Sequence, residues 1–158
     1  MVAVLRPELL IRPMRRSDLD EVHAIEDRSY PFPWSRGIFG DCLRIGYCCR
    51  LAELSGDVGG YSVLSVGAGE AHLLNLCVAP EQRRAGLGQA LLDGVLVDAR
   101  VLGAQRIFLE VRPSNRGAIA LYEANAFHII GRRPGYYPAW EGREDALVMV
   151  HHMEPEDV

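Results

Sequence analysis

Three stretches of this 158-residue chain place residue types at spacings that can do chemistry. The first sets Arg83-x-x-Gly86-x-Gly88 between a strand-like run ending at Val78 and a helix-like run beginning at Leu87. Glycines let a backbone come close to a ligand, and the first N–H groups of a helix have no partner within it. The positive end of the helix then attracts phosphate. The pattern points to an anion site, with a plain strand-to-helix turn as the bland alternative. It is neither a Walker A loop, which needs Gly-Lys-Ser/Thr, nor a dinucleotide fingerprint, because Leu91 stands where a third small residue belongs. The second stretch is Ile107-Phe-Leu-Glu-Val, where a carboxylate sits inside an apolar strand. Burying Glu110 is costly unless it is paired or protonated. Two readings stand: a general base whose pKa burial raises towards neutrality, or an ion pair with Arg112 on the same face. The third stretch is a Pro/Gly/Tyr-rich loop with Tyr136, Tyr137 and Trp140 followed by Glu141, Glu144 and Asp145. Exposed, it makes a binding edge with acidic residues for a basic tail; buried, it makes a lid on a core.

The elements that must hold these stretches follow from periodicity. Leu9–Pro13 reads as an opening strand. Ser17 caps a helix carrying Leu19, Val22 and Ile25, and Ser35 caps a second carrying Ile38, Phe39, Cys42 and Leu43. Between them Pro31-Phe-Pro-Trp stops the first helix. Strands are expected over Tyr47–Leu54, Val58–Val66 and Ala71–Val78, with turns at Ser55-Gly-Asp and Gly67-Ala-Gly. A helix runs from Leu87 to about Leu102, stopped by Gly103. A strand follows over Arg106–Arg112, then a helix opened by Ser114 or Asn115 and running to about Asn125. Strands over Phe127–Arg133 and Asp145–His151 close the chain around the Tyr-rich loop. The order β-α-α-β-β-β-α-β-α-β-β predicts an α/β fold with a mixed sheet and helices on its faces, not a doubly wound one. On bare spacing Tyr122 is a core aromatic, Cys77 a small buried strand residue and His72 an ordinary strand residue, with a proton relay as the alternative for His72.

Bulk properties set the limits. The length fits one domain over 1–158, and 49% apolar with 24% charged residues is the usual globular mixture. A net charge of −4 argues against duplex nucleic acid as a partner. No apolar run approaches the roughly 20 residues of a membrane span. No signal peptide is read at the start, so Cys42, Cys48, Cys49 and Cys77 are expected to be reduced thiols in the cytoplasm. No His or Cys spacing suggests a metal, and His151-His152 reads as strand-end surface.

Taken together, PFPWS (31–35), LLNLCV (73–78), QRRAGLGQALL (82–92), LEVRPSNRGAIALYEANAF (109–127) and YYPAWEGREDALVM (136–149) resemble the GCN5-related N-acetyltransferase superfamily and, within it, the RimI type. The likeness spans about residues 9–152. The glycine loop alone marks only the superfamily; LEVR-x-SN-x-x-A-x-x-LYE with YYP…GREDA marks the type. One departure is Ala126, where many relatives have glycine.

The resemblance implies a mostly antiparallel central sheet with helices on both faces and an acetyl-coenzyme A cleft between two splayed central strands. It implies transfer of acetyl from acetyl-coenzyme A to the N-terminal alanine of a small-subunit ribosomal protein, without a metal. Pyrophosphate contacts map to the backbone of Arg84, Ala85, Gly86, Leu87, Gly88 and Gln89. Pantetheine and acetyl contacts map to Leu76, Cys77 and Val78, and a further coenzyme contact to Asn115. The base maps to Glu110 and the acid to Tyr122; the peptide edge maps to Trp34, Tyr136, Tyr137 and Trp140. Acetylation of a small amine, acetylation of protein lysine and non-catalytic acyl-coenzyme A binding remain alternatives. The acceptor amine itself favours the first reading: an α-amine has a pKa of about 7.7–8.0 and a lysine about 10.4, a difference of roughly 3.4 kcal/mol in deprotonation cost. Partners are expected to be a protein N-terminus, without nucleic acid or membrane, and the protein a monomer or weak dimer.

Overall fold

The computed structural model describes residues 8–83 and 85–154. Arg84 therefore lies outside the described residues. The described residues form seven strands: β1 (Leu9–Pro13), β2 (Cys48–Leu54), β3 (Asp57–Gly67), β4 (Glu70–Val78), β5 (Arg106–Val111), β6 (His128–Pro138) and β7 (Arg143–His152). The α-helices among the described residues are α1 (Leu19–Ser29), α2 (Arg36–Ile45), α3 (Leu87–Val101) and α4 (Arg116–Ala124). The strands lie in the order β1-β2-β3-β4-β5-β7-β6. β1 pairs antiparallel with β2, β5 with β7 and β6 with β7, whereas β4 and β5 run parallel. That parallel register covers three pairs, from Glu70↔Arg106 to His72↔Phe108. The expected mixed, mostly antiparallel sheet and the element order are both found.

The chain forms two compact units interleaved in sequence: one up to Val63 plus Asn75–Gly94, the other Leu64–Leu74 plus Val95 onward. In the first, Leu19, Val22, Ile25, Phe39, Leu51 and Tyr61 are buried. Consecutive residues of β3 send side chains to opposite faces. Tyr61 meets Phe39 of α2 with ring centroids 5.4 Å apart, while a Cβ on Gly60 would come within 3.1 Å of Leu91 of α3 and 2.6 Å of the Cys77 carbonyl. So α2 and α3 cover opposite faces of β3, and Gly60 has no side chain because α3 and β4 pack too closely to admit one. In the second unit Ile107, Leu109, Phe127 and Met149 form the buried centre.

Two local expectations change. Ser17 is exposed in a 3₁₀ turn (Arg16–Asp18) rather than capping α1. The carboxylate of Asp18 instead ties down the turn that precedes α1, accepting the Arg15 N–H at 2.7 Å and both Arg12 guanidinium branches at 2.8 Å. A carboxylate offers more acceptor capacity than a hydroxyl and matches the arginine fork. Ser35 does cap α2, accepting from the Ile38 N–H at 3.3 Å. The second change is the Tyr-rich loop. β6 continues through Pro138, and Tyr137↔Glu144 and Pro138↔Arg143 are ladder pairs across a register shift after Arg133. Pro138 is tolerated because β6 ends the strand order, where a ladder donor is dispensable.

Candidate active site

Glu110 stands on β5 opposite Val148 of β7. Ile107, Leu109 and Val111 point into the core and Phe108 and Glu110 to the other face, as alternation requires. The Glu110 side chain is only 8% exposed. His72, across the parallel register on β4, donates from Nε2 to Glu110 Oε2 at 2.5 Å, and Arg133 Nη2 lies 3.6 Å from Oε1. The His72 hydrogen bond outweighs burial and, with Arg133, holds the Glu110 carboxyl below the usual carboxylate range. This corrects the expectation that burial raises it. The Arg112 ion-pair reading is also displaced: Arg112 Nη1 reaches Glu144 Oε1 at 3.0 Å, and its guanidinium lies 4.4 Å from the Tyr137 ring centre. His72 is thus joined to a catalytic candidate, not an ordinary strand residue.

Tyr122 is buried on α4, its ring 5.5 Å from that of Phe127. Its carbonyl accepts the Phe127 N–H at 3.0 Å, closing the helix end across Ala126, which adopts φ 63°. Asn115 caps α4, its Oδ1 accepting the Ala118 N–H at 3.2 Å.

In the first unit, Ala85 and Gly86 form an exposed bend, with Gly86 at φ 81° and nothing near the place a Cβ would take. The backbone at the start of the 15-residue α3 is therefore open, as a phosphate cradle requires. The Leu87 side chain is buried with Ala52 and Leu91, which leaves only its backbone for such a role. Gly88 is half-buried, and the Gln89 amide donates to Asp93 at 2.8 Å. On β4, Leu76 and Val78 pack partly buried against that same cluster, and Cys77 is buried.

Trp34 is half-buried, its ring 5.2 Å from Phe39. Tyr136 and Tyr137 stand on β6 with rings 4.8 Å apart, and Trp140, in the reversal before β7, is 81% exposed. Burial and the neighbouring Tyr136 and Glu110 push the Tyr137 hydroxyl up. Glu144 also accepts the Ser114 N–H, and Asp145 accepts the Gly135 N–H and pairs with Arg132. Two of the three expected tail-attracting acids are thus committed internally.

Sequence reasoning missed Glu26. It is 2% exposed on α1 and accepts from Tyr61 Oη at 2.7 Å, Asn75 Nδ2 at 3.0 Å and the Trp34 N–H at 2.9 Å. A signal existed: Leu19, Val22 and Glu26 follow the i, i+3, i+7 stripe that faces a core. Arg133 was missed too: it stands on β6, one strand beyond β7, and only its side chain reaches back to Glu110.

Residues 19–127 match the acetyltransferase (GNAT) family. The chain is similar to the [ribosomal protein bS18]-alanine N-acetyltransferase of Escherichia coli strain K12, 37% identical over 139 residues, covering 88% of this chain and 94% of that one. The crystal structure of the ribosomal-protein-S18-alanine N-acetyltransferase from Escherichia coli superposes with a TM-score of 0.87 at 34% identity, over 96% of this chain and 99% of that one. The structure of yncA from Salmonella typhimurium, solved with its cofactor acetyl-CoA, has a TM-score of 0.80 over 96% and 97% of the two chains; at 16% identity that is a likeness of fold alone.

Proposed function

We propose a function for this chain from the premise that it belongs to the acetyltransferase (GNAT) family. It acetylates the α-amine of a protein N-terminal alanine, that of a small-subunit ribosomal protein, using acetyl-coenzyme A. The acceptor is the one named for its relatives. The catalytic half rests on one observation: an almost buried carboxylate, Glu110, held ionised and joined to an imidazole.

The coenzyme supplies an activated acyl thioester. The backbone from Arg84 to Gln89 is assigned its pyrophosphate, at the positive end of α3. The glycine bend and open backbone there fit that group. Leu76, Cys77 and Val78 line the pantetheine and acetyl through their backbone, since their side chains pack inward, and a backbone N–H near Val78 donates to the thioester carbonyl oxygen. Asn115 adds a coenzyme contact from its capping position. Glu110 takes the proton from the acceptor amine while the Nε2–H of His72, whose side chain is 38% exposed, stays bonded to Oε2. The amine attacks the carbonyl carbon, the C–S bond breaks, and the Tyr122 hydroxyl protonates the departing thiolate. Trp34, Tyr136, Tyr137 and Trp140 hold the peptide. We read the whole chain as one catalytic domain. Among the described residues no helix is long and apolar enough to cross a membrane. We place the protein in the cytoplasm as a monomer or weak dimer.

The test is an intact-mass assay with acetyl-coenzyme A and two peptides. One has a free N-terminal alanine, a basic tail and no lysine; the other has a blocked N-terminus and one lysine. One acetyl group on the first alone is expected. Modification of the second alone moves the function to lysine. No reaction with either, while the coenzyme still raises Tm, leaves a small-amine enzyme or a binding module.

A further inference from the structure

Glu26 is a charged side chain that the mechanism does not use, yet it is among the most buried polar groups of the described residues. Burying a carboxylate costs several kcal/mol unless its lone pairs are filled. Here three neutral donors fill them, and they come from three places: Tyr61 on β3, Asn75 on β4, and the backbone N–H of Trp34 in the segment between α1 and α2. The two oxygens divide the work. Oε1 takes the two strand donors, and Oε2 takes Trp34. The Pro31–Ser35 segment has little regular structure of its own, and its two prolines have no backbone N–H to donate. It hangs from the strands by the Trp34 N–H and by the stack Trp34–Phe39–Tyr61, whose ring centres lie 5.2 Å and 5.4 Å apart. One residue before it, Tyr30 Oη donates to the Leu76 carbonyl at 3.4 Å, on the strand proposed to line the acyl group.

We propose that Glu26 is a positioning residue: through the Trp34 N–H it fixes the acceptor-side wall at Trp34 against β3 and β4, and so governs acceptor affinity rather than coenzyme affinity or the chemical step. This rests on the proposed peptide role of Trp34. What Glu26 supplies is reach, not charge, and two near-isosteric variants separate these. Glu26→Gln keeps the length; with the Asn75 amide and Tyr61 hydroxyl turned about, its carbonyl still accepts from Trp34 and its NH₂ serves the strands. Glu26→Asp keeps the charge but draws both carboxylate oxygens back by about one C–C bond, roughly 1.5 Å, which takes the bond to Trp34, with those to Tyr61 and Asn75, out of hydrogen-bond range.

The experiment measures steady-state kinetics with the alanine peptide, and acrylamide quenching of Trp34 in a Trp140→Phe background, where Trp34 is the one tryptophan left. Glu26→Asp is expected to raise the peptide KM about tenfold, with coenzyme KM and kcat within about twofold, and to expose Trp34 to quencher. Glu26→Gln is expected to match the parent in both. The buried Cys49→Ala on β2, outside this network, controls for loss of stability alone and should move neither readout. Impairment of Glu26→Gln with a normal Glu26→Asp overturns the proposal, as does unchanged quenching in Glu26→Asp. Exposed Trp34 with an unchanged peptide KM overturns the link to the acceptor. If the parent protein acetylates neither peptide, the proposed function falls, and the quenching result alone still decides whether Glu26 is the tether.

Discussion

Glu110 shows how a neighbour can reverse what burial alone dictates. Desolvation favours the neutral acid, but a hydrogen bond and charge from His72, with Arg133 behind, favour the carboxylate more. Its pKa lies below the ordinary value, so the proposed base is already ionised well below neutrality. The pH dependence of kcat/KM should then come from the acceptor. The rate should climb along one limb near the α-amine value of about 7.7–8.0, with no inflection in the carboxylate range. Glu110→Gln should lower the rate by about 10²–10⁴ at every pH while leaving that limb in place. A limb between pH 5 and 6, on the order of a raised carboxyl, or a variant with full activity, would remove Glu110 as the base.

The end of α4 carries a strain that belongs to the element. Ala126 occupies the left-handed region at φ 63° so that the Phe127 N–H can turn back to the Tyr122 carbonyl. Glycine is the usual residue there because a Cβ costs about 1–2 kcal/mol in that conformation. Ala126→Gly should therefore stabilise the protein by about 1 kcal/mol, the greater freedom of the unfolded chain taking back the rest. The melting temperature should rise by about 2–4 °C. A fall in Tm would mean that the Ala126 methyl packs against something worth more than the strain. The β6–β7 hairpin is the other element whose character the chain sets locally. Arg112 stacks on Tyr137 and Arg133 lies over Tyr136, so each ring of the aromatic pair is backed by a guanidinium.

At the scale of the whole molecule, acid stability collects the paired carboxylates. Asp18, Glu81, Glu110, Glu144 and Asp145 all have lowered pKa values. A carboxyl lowered in the folded state contributes stability that is fully present above its unfolded value, near 4, and is lost as pH falls through the folded value. Asp18 should dominate, because the fork from Arg12 and the Arg15 N–H hold it while it is 8% exposed. Asp18→Asn should cost about 2–3 kcal/mol at neutral pH. It should also flatten the fall of the urea midpoint below about pH 4, because the proton-linked term is gone. A variant that keeps the parent's acid slope would assign the linkage to the other four.

The sequence by itself determined the element order, the Ser35 cap, the turns at Ser55–Gly56 and Ala68–Gly69, the glycine bend before α3 and the two faces of β5. Each rests on interactions among residues within a few positions of one another, which spacing and residue type encode directly. Only the tertiary structure decided what Glu110 touches, that Asp18 rather than Ser17 ties down the turn that precedes α1, that Tyr136 and Tyr137 lie on a strand, and that Glu26 ties Trp34 to β3 and β4. In the strongest cases the partners stand far apart in the chain: His72 and Glu110 are joined by parallel register, and Glu26, Tyr61 and Asn75 by helix-on-sheet packing. A carboxylate's pKa follows the groups within a few ångströms of it, and those distances exist only once the strands have paired.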